Sequence, residues 1–330
     1  AGALGVTLAG DYFTLFVFWE MMAVSSAYLI WARRTEESDR AGMRYLMMHF
    51  LGGGFLFGGI LIQLAQTNSL AIQPFAYEFS VTSVLVLIGV SLNAAVPPLH
   101  AWLSDAYPKA TITGAVFMSA LTTKSAMYVL IRLYPGWEVL IWVGIAMALY
   151  GAVYALMADD IREILAFSII SQLGYMVTAV GIGTEMAING ATTHAFSHIL
   201  YKSLLFMAAG AVIYATGRSK LSELGGLASR MKWVLALYMV GGASISGIPL
   251  FNGFISKSMI ISSAGEAHFE WAMLLLMVAS IGSFLHTGLK LPYFTWIAPA
   301  RGLEILDSTG MPRPPVEVRR LPGNMMVAMV

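Results

Sequence analysis

The 330-residue chain has no cysteine. Disulfides, thiolate chemistry and cysteine-ligated iron–sulfur clusters are therefore excluded from it. Charge is scarce as well. Asp, Glu, Lys and Arg make up 11% of the residues, against about 25% in a typical soluble domain. The formal net charge of +1 carries no signal for nucleic acid, and none is expected as a partner. No HExxH motif is present, no signal peptide with a basic leader and cleavage site opens the chain, and no connection between apolar runs is long enough for a nucleotide-binding domain. No cofactor, metal or redox centre is expected, and no catalytic chemistry is assigned to the chain itself.

What is present is apolar surface. Hydrophobic residues make up 58% of the chain and the mean hydropathy is +0.74. The charges are clustered, and the runs between them reach about 20 residues, the length of a helix that crosses a bilayer. These runs mix Leu, Val, Met, Ala and Gly without alternation, which favours helices over barrel strands. The 32 glycines suit close helix packing in lipid. The expected fold is an all-α polytopic membrane protein with about nine full transmembrane helices. The spans run near 11–31, 41–63, 80–103, 112–133, 137–157, 161–183, 187–215, 232–262 and 270–296.

The connections test this count. One set carries Arg33, Arg34, Arg40 and Arg44, then Lys109, Arg162, the group Arg218, Lys220, Arg230 and Lys232, and finally Arg301, Arg313, Arg319 and Arg320. The alternate set is nearly free of basic residues, so the basic set is expected in the cytoplasm. The opening run AGALGVTLAG reads as the tail of an earlier span, and LPGNMMVAMV as the first turns of another. Both ends are expected to lie inside a longer protein of a prokaryotic plasma membrane.

Two spans contain breaks. The third holds Asn93-Ala-Ala-Val-Pro97-Pro98 and the eighth holds Gly247-Ile-Pro249; proline removes a backbone donor and obstructs the preceding turn. The breaks lie five spans apart in opposite directions, as in inverted five-helix repeats whose discontinuous helices mark a transport site. The expected division is 1–133 for a first half, 134–300 for a second, and 301–330 for a cytoplasmic segment with the start of a further helix.

A charge at mid-bilayer costs at least about 2.5 kcal/mol, so each one needs a reason. Glu20 sits near the centre of the first span and Lys124 in the middle of the fourth. His194, His198 and Lys202 recur every fourth residue on the seventh, which aligns them on one helix face. Imidazole both donates and accepts, so the series suits a proton relay. Lys257 follows the second break. His49, His100 and Asn93 are weaker candidates, and His286 and Lys290 are placed at the membrane edge. Together these groups predict a hydrated axis in which protonation of one site influences the next.

Six blocks then carry a resemblance: LFVFWEMM around Glu20, VPPLHAWLSDAYPKA at 96–110, LTTKSAMYVLIR at 121–132, DDIREILAFSIISQLGYM at 159–176, HAFSHILYKSLLF at 194–206 and GIPLFNGFISK at 247–257. In this order they resemble the antiporter-like membrane subunits shared by respiratory complex I, Mrp-type cation/proton antiporters and membrane-bound hydrogenases. FLHTGLKLPYF at 284–294 makes the Mrp antiporters' D-type component the most similar. The resemblance implies that Glu20 belongs to a first half-channel and Lys124 to a linking region. It implies that His194, His198 and Lys202 belong to the connecting axis and second half-channel, and Lys257 to the broken helix there. It also implies further spans on either side, no redox centre, and other membrane subunits as partners. One position departs: the family pattern has a lysine where this chain has Asn93. Either Lys124 then serves as the partner of Glu20, the preferred reading, or the first half-channel is weakened.

The leading functional expectation is a proton-translocating subunit of a multisubunit cation/proton antiporter, with Na⁺ as a second candidate ion and lipid as its surroundings. The runner-up is a proton-pumping subunit of a complex I-like quinone oxidoreductase or membrane-bound hydrogenase. The third is a structural subunit that does not conduct.

Overall fold

In the computed structural model, residues 1–299 and 318–330 are described. Among them the chain is helical throughout, with two isolated β-bridges (Asp11 with Ala71, Asp160 with Lys220) and no strand. Arg301 and Arg313 lie outside the described residues; Arg319 and Arg320 lie within them and are exposed.

The helices follow the apolar runs. A short α1 (Gly2–Leu8) precedes α2 (Tyr12–Trp31) and the long α3 (Glu36–Thr67). Next come α4 (Val81–Asn93), α5 (Ala101–Lys109), α6 (Ile112–Leu133), α7 (Val139–Met157), α8 (Ile161–Ile182) and α9 (Glu185–Thr216). After these, α10 (Lys232–Ser246), α11 (Asn252–Glu266) and α12 (Glu270–Ser283) lead into π-helical turns at Phe284–Lys290 and Tyr293–Ile297, and α13 (Gly323–Val327) ends the described chain. Side chains cap the starts: Asp11 accepts from the Thr14 amide at 2.8 Å, Thr35 and Ser80 form capping boxes, and Asp160 accepts from the amides of Arg162 and Glu163. Each satisfies amides that a helix N-terminus leaves unpaired.

Seven helical segments among the described residues are long and apolar enough to cross a membrane: α2, α3, α6, α7, α8, α9, and α12 with its π-helical continuation to Ile297. The third and eighth expected spans are each divided. α4 stops at Asn93 and α5 starts at Ala101, with Pro97 and Pro98 between them. α10 stops at Ser246 and is capped by Gly247, whose φ of 74° lies in the left-handed region that glycine tolerates, and α11 restarts at Asn252 after Pro249.

The bundle is built around α8, whose residues from Ile161 to Ile182 are buried apart from Glu163. A helix apolar on all faces belongs in such a central place. Its closest partner is α7. A Cβ at Gly174 would strike the Ala148 amide and the Gly144 carbonyl, and Gly144 and Gly151 of α7 approach the α8 backbone as closely. Small residues permit this approach, from which lipid-embedded helices gain van der Waals contact. Gly174→Ala should therefore destabilise the protein by about 1–3 kcal/mol through overpacking. Thermal unfolding in detergent checks this, with Gly54→Ala as the control because nothing lies within 4 Å of a Cβ there.

One end of the bundle gathers the basic loops. Arg44 and Lys109 both pair with Asp105 at 2.6 Å, and Arg162 donates to the carbonyls of Pro108 (2.6 Å) and Ala110 (2.9 Å). Partial burial pushes the Asp105 carboxyl up, but the bonds from Lys109 and Arg44 outweigh it and hold the group below its ordinary 3.8. A depressed carboxylate adds stability above its unfolded pKa and loses it as the pH falls through the folded value. Asp105→Asn should lower stability at neutral pH by a few tenths to about 1 kcal/mol, the scale of partly exposed pairs. The gap between wild type and variant should close as unfolding is followed to pH values below 3.8.

Candidate functional site

The long α9 carries the densest polar face. His194, His198 and Lys202 are fully buried on it, and the two imidazole rings lie 6.3 Å apart. Nδ1 of His194 meets the Ser256 hydroxyl of α11 at 2.8 Å, and its Nε2 lies 3.5 Å from the Tyr201 hydroxyl. Tyr201 in turn reaches Oε1 of Gln172 on α8 at 3.5 Å, and Nε2 of Gln172 donates to Ser283 at 3.0 Å. A chain of groups able to exchange hydrogen bonds thus links α11, α9, α8 and α12. His198 has neither ring nitrogen bonded to protein, and its ring lies 5.2 Å from that of Tyr201.

Three buried ammonium groups surround this chain. Lys202 donates to the Ser168 hydroxyl on α8. Lys257 donates to the carbonyl of Ile245 at 2.6 Å, at the broken end of α10, and its Nζ stands 5.1 Å above the centre of the Tyr175 ring. Lys124 donates to the Ser119 carbonyl at 2.5 Å and to Thr123 at 3.1 Å. His198 lies within electrostatic reach of all three lysines and of His194. None of the three forms an ion pair with a carboxylate among the described residues. A buried charge without a counter-charge is costly, so taking up or releasing a proton is the change such a site most readily makes.

Glu20 stands apart from this group. Its Oε1 is buried without a hydrogen-bond partner and rests against Gly53 of α3, where a Cβ would strike it. The ammonium of Lys124 is occupied within its own helix, and the structure pairs it with Ser119 and Thr123 rather than with Glu20. His49 and Asn93 are fully buried, with no partner for any side-chain polar atom. His100 turns away from them toward α7, with Nε2 2.7 Å from the Tyr150 hydroxyl.

Several neutral members of the network escaped the sequence reading: Ser168, Gln172 and Tyr175 on α8, with Tyr201, Ser256 and Ser283. The α8 residues recur at helical spacing inside DDIREILAFSIISQLGYM, a pattern that marks one face. His286 lies one turn before Lys290. It is fully buried within the π-helical turn, its Nδ1 2.6 Å from Thr287. Lys290 closes the end of α7 by donating to the carbonyls of Leu156 (2.6 Å) and Ala158 (2.5 Å), the usual service of a cation at a helix C-terminus.

Long apolar helices, two interrupted ones, and buried titratable groups define a multi-pass membrane protein with a polar interior of the kind found in ion-translocating subunits. The sequence matches the NADH:quinone oxidoreductase/Mrp antiporter transmembrane family over residues 9–285, and the chain belongs to that family. An uncharacterized protein of Methanocaldococcus jannaschii is 32% identical over 320 residues, covering 91% of this chain and 65% of the relative. The D-type component of the Na⁺/H⁺ antiporter of Alkalihalophilus pseudofirmus is 32% identical over 285 residues, covering 80% of this chain and 57% of that relative. In the solved Mrp complex of a Dietzia species, one chain superposes with a TM-score of 0.87 at 29% identity, covering 93% of this chain and 60% of the other. The chain thus spans about three fifths to two thirds of the length of these relatives.

Proposed function

We propose that this chain is the proton-translocating part of an Mrp D-like subunit in a multisubunit cation/proton antiporter. The observation that carries the reading is the buried series His194, His198 and Lys202, with Lys124 and Lys257 in electrostatic reach and no carboxylate paired to any of the lysines among the described residues. A proton received at one member alters the field at the next, because low-dielectric surroundings screen poorly. Ser256, Tyr201 and Gln172 supply neutral groups between the charged ones.

Residues 1–133 form a first half-channel holding Glu20, and residues 134–300 a second ending at Lys257, as inverted repeats with one interrupted helix each. The other membrane subunits supply the path for the exchanged cation, Na⁺ foremost. The family's breadth favours one second reading, a proton-pumping subunit of a redox-driven complex, which differs in its driving reaction rather than in its path.

The test is proton movement in everted vesicles carrying the complete native complex. The expected result is that added Na⁺ collapses a pre-formed acidic-inside pH gradient, a collapse absent from vesicles lacking the complex. Flux driven only by a redox donor moves the assignment to the second reading. No flux under either drive overturns both and leaves a non-conducting scaffold.

A further inference from the structure

We propose that His49 is the proton-exchanging partner of Glu20, so that the first half of the bundle contains its own two-residue titratable site. The inference rests on the transport reading and names the partner that the sequence alone assigned to Lys124.

Glu20 meets α3 at Gly53. His49 lies four residues earlier on that helix, on the same face and roughly 6 Å along its axis. Both ring nitrogens of His49 are buried and unpartnered, as is Oε1 of Glu20. A buried imidazole kept for packing ordinarily finds at least one partner, because an unpaired buried polar atom costs about 1–3 kcal/mol. His49 has packing partners of another kind. Its ring lies 3.9 Å from that of Tyr45 and 4.4 Å from that of Trp102, edge-on to both. Phenylalanine would fill that space equally well without the unpaired nitrogens.

Two titratable groups share this face of α3 with His49: Glu20, which meets the helix one turn away at Gly53, and Tyr45, whose ring touches His49 and whose buried hydroxyl is unpartnered. α3 packs against α2, α4 and α5. Glu20 faces it from α2. From α4 comes the neutral Asn93, whose amide is buried without a partner beside Leu92, the residue that closes on Gly52. From α5 comes Trp102, whose indole donates to the Leu92 carbonyl at 2.9 Å; Asp105 of α5 is engaged with Arg44 of α3. His49 therefore stands between Glu20 and the interruption that separates α4 from α5.

The step balances simply. The Glu20 carboxylic acid gives its proton to one nitrogen of neutral His49, leaving a carboxylate and an imidazolium. The other nitrogen then releases its proton to water, and the imidazole is neutral again. The two nitrogens lie on different edges of the imidazole ring, so the proton advances as it crosses the ring.

His49→Phe tests this in the native complex, because it keeps the ring against Tyr45 and Trp102 and removes only the exchange. Proton flux should fall at least about tenfold, toward the range a positioned proton-transfer group contributes, while the complex still assembles. Adding Asn93→Lys, which places an ammonium at the end of α4, a helix packed on α3, should restore part of that flux. Should His49→Phe fail to assemble, His49→Gln serves in its place, with the same expected loss and rescue. Full flux in the single variant, or a loss that Asn93→Lys does not relieve, overturns the pairing. A wild-type complex without flux removes the transport reading and this inference with it; a conducting wild type beside an unaffected His49→Phe removes the inference alone.

Discussion

Glu20→Gln should abolish proton flux and leave assembly untouched. Gln matches Glu in shape, and Oε1 of Glu20 has no hydrogen-bond partner to lose. The site is tight, since the carboxylate rests where a Cβ of Gly53 would stand, but an amide of equal size occupies the same space. What disappears is the capacity to hold and give up a proton. Flux in everted vesicles should drop on the order of 100-fold or more, the scale at which a positioned acid–base group acts. Glu20→Asp retains the chemistry on a shorter arm and should keep part of the activity. Wild-type flux in the Gln variant would remove Glu20 from the path.

Lys202 gives the second large effect, and here function and stability should move in opposite directions. The ammonium is fully buried, held by the Ser168 hydroxyl and 5.9 Å from the centre of the Phe206 ring, without a carboxylate partner among the described residues. Replacing a buried ionic group by an apolar one of similar volume is often neutral or stabilising, by as much as about 1–4 kcal/mol. Lys202→Met should therefore unfold at the same or a higher temperature while conducting no protons. Lys202→Ala should lose flux equally but also lose stability, because a truncated long side chain leaves a cavity costing about 2–5 kcal/mol. Thermal unfolding in detergent and vesicle flux, measured on the same preparations, separate the two effects. A Met variant that conducts would show that His198 and Tyr201 pass the proton without the ammonium.

Much of this arrangement could be read from the residues. The helical runs, the basic loops and the two proline-marked interruptions were legible because each imposes a large local energy: desolvation of charge, bilayer thickness, loss of a backbone donor. The lysines and histidines were legible for the same reason. Ser168, Gln172, Tyr201 and Ser283 were not, because a neutral polar residue in a membrane helix is common enough that position alone does not single it out. Partner choice was harder still. Glu20 and Lys124 looked complementary in one dimension, yet Lys124 bonds within its own helix and Glu20 faces α3, contacts that depend on three-dimensional packing. The π-helical geometry that carries His286 inward left no mark in FLHTGLKLPYF either, since its glycine and threonine fit an ordinary turn equally well.

The ammonium of Lys257 is also a splint. It donates to the Ile245 carbonyl, near the frayed end of α10, from a residue on the far side of the interruption. The two half-helices are therefore clasped by a side chain whose bonding strength follows its own charge state, since a charged donor bonds more strongly than a neutral one. Loss of the Lys257 proton would slacken the clasp at a point where no continuous backbone ladder holds the halves in line. On the proposed path, loading and unloading this residue would therefore change the stiffness of the helix that carries it.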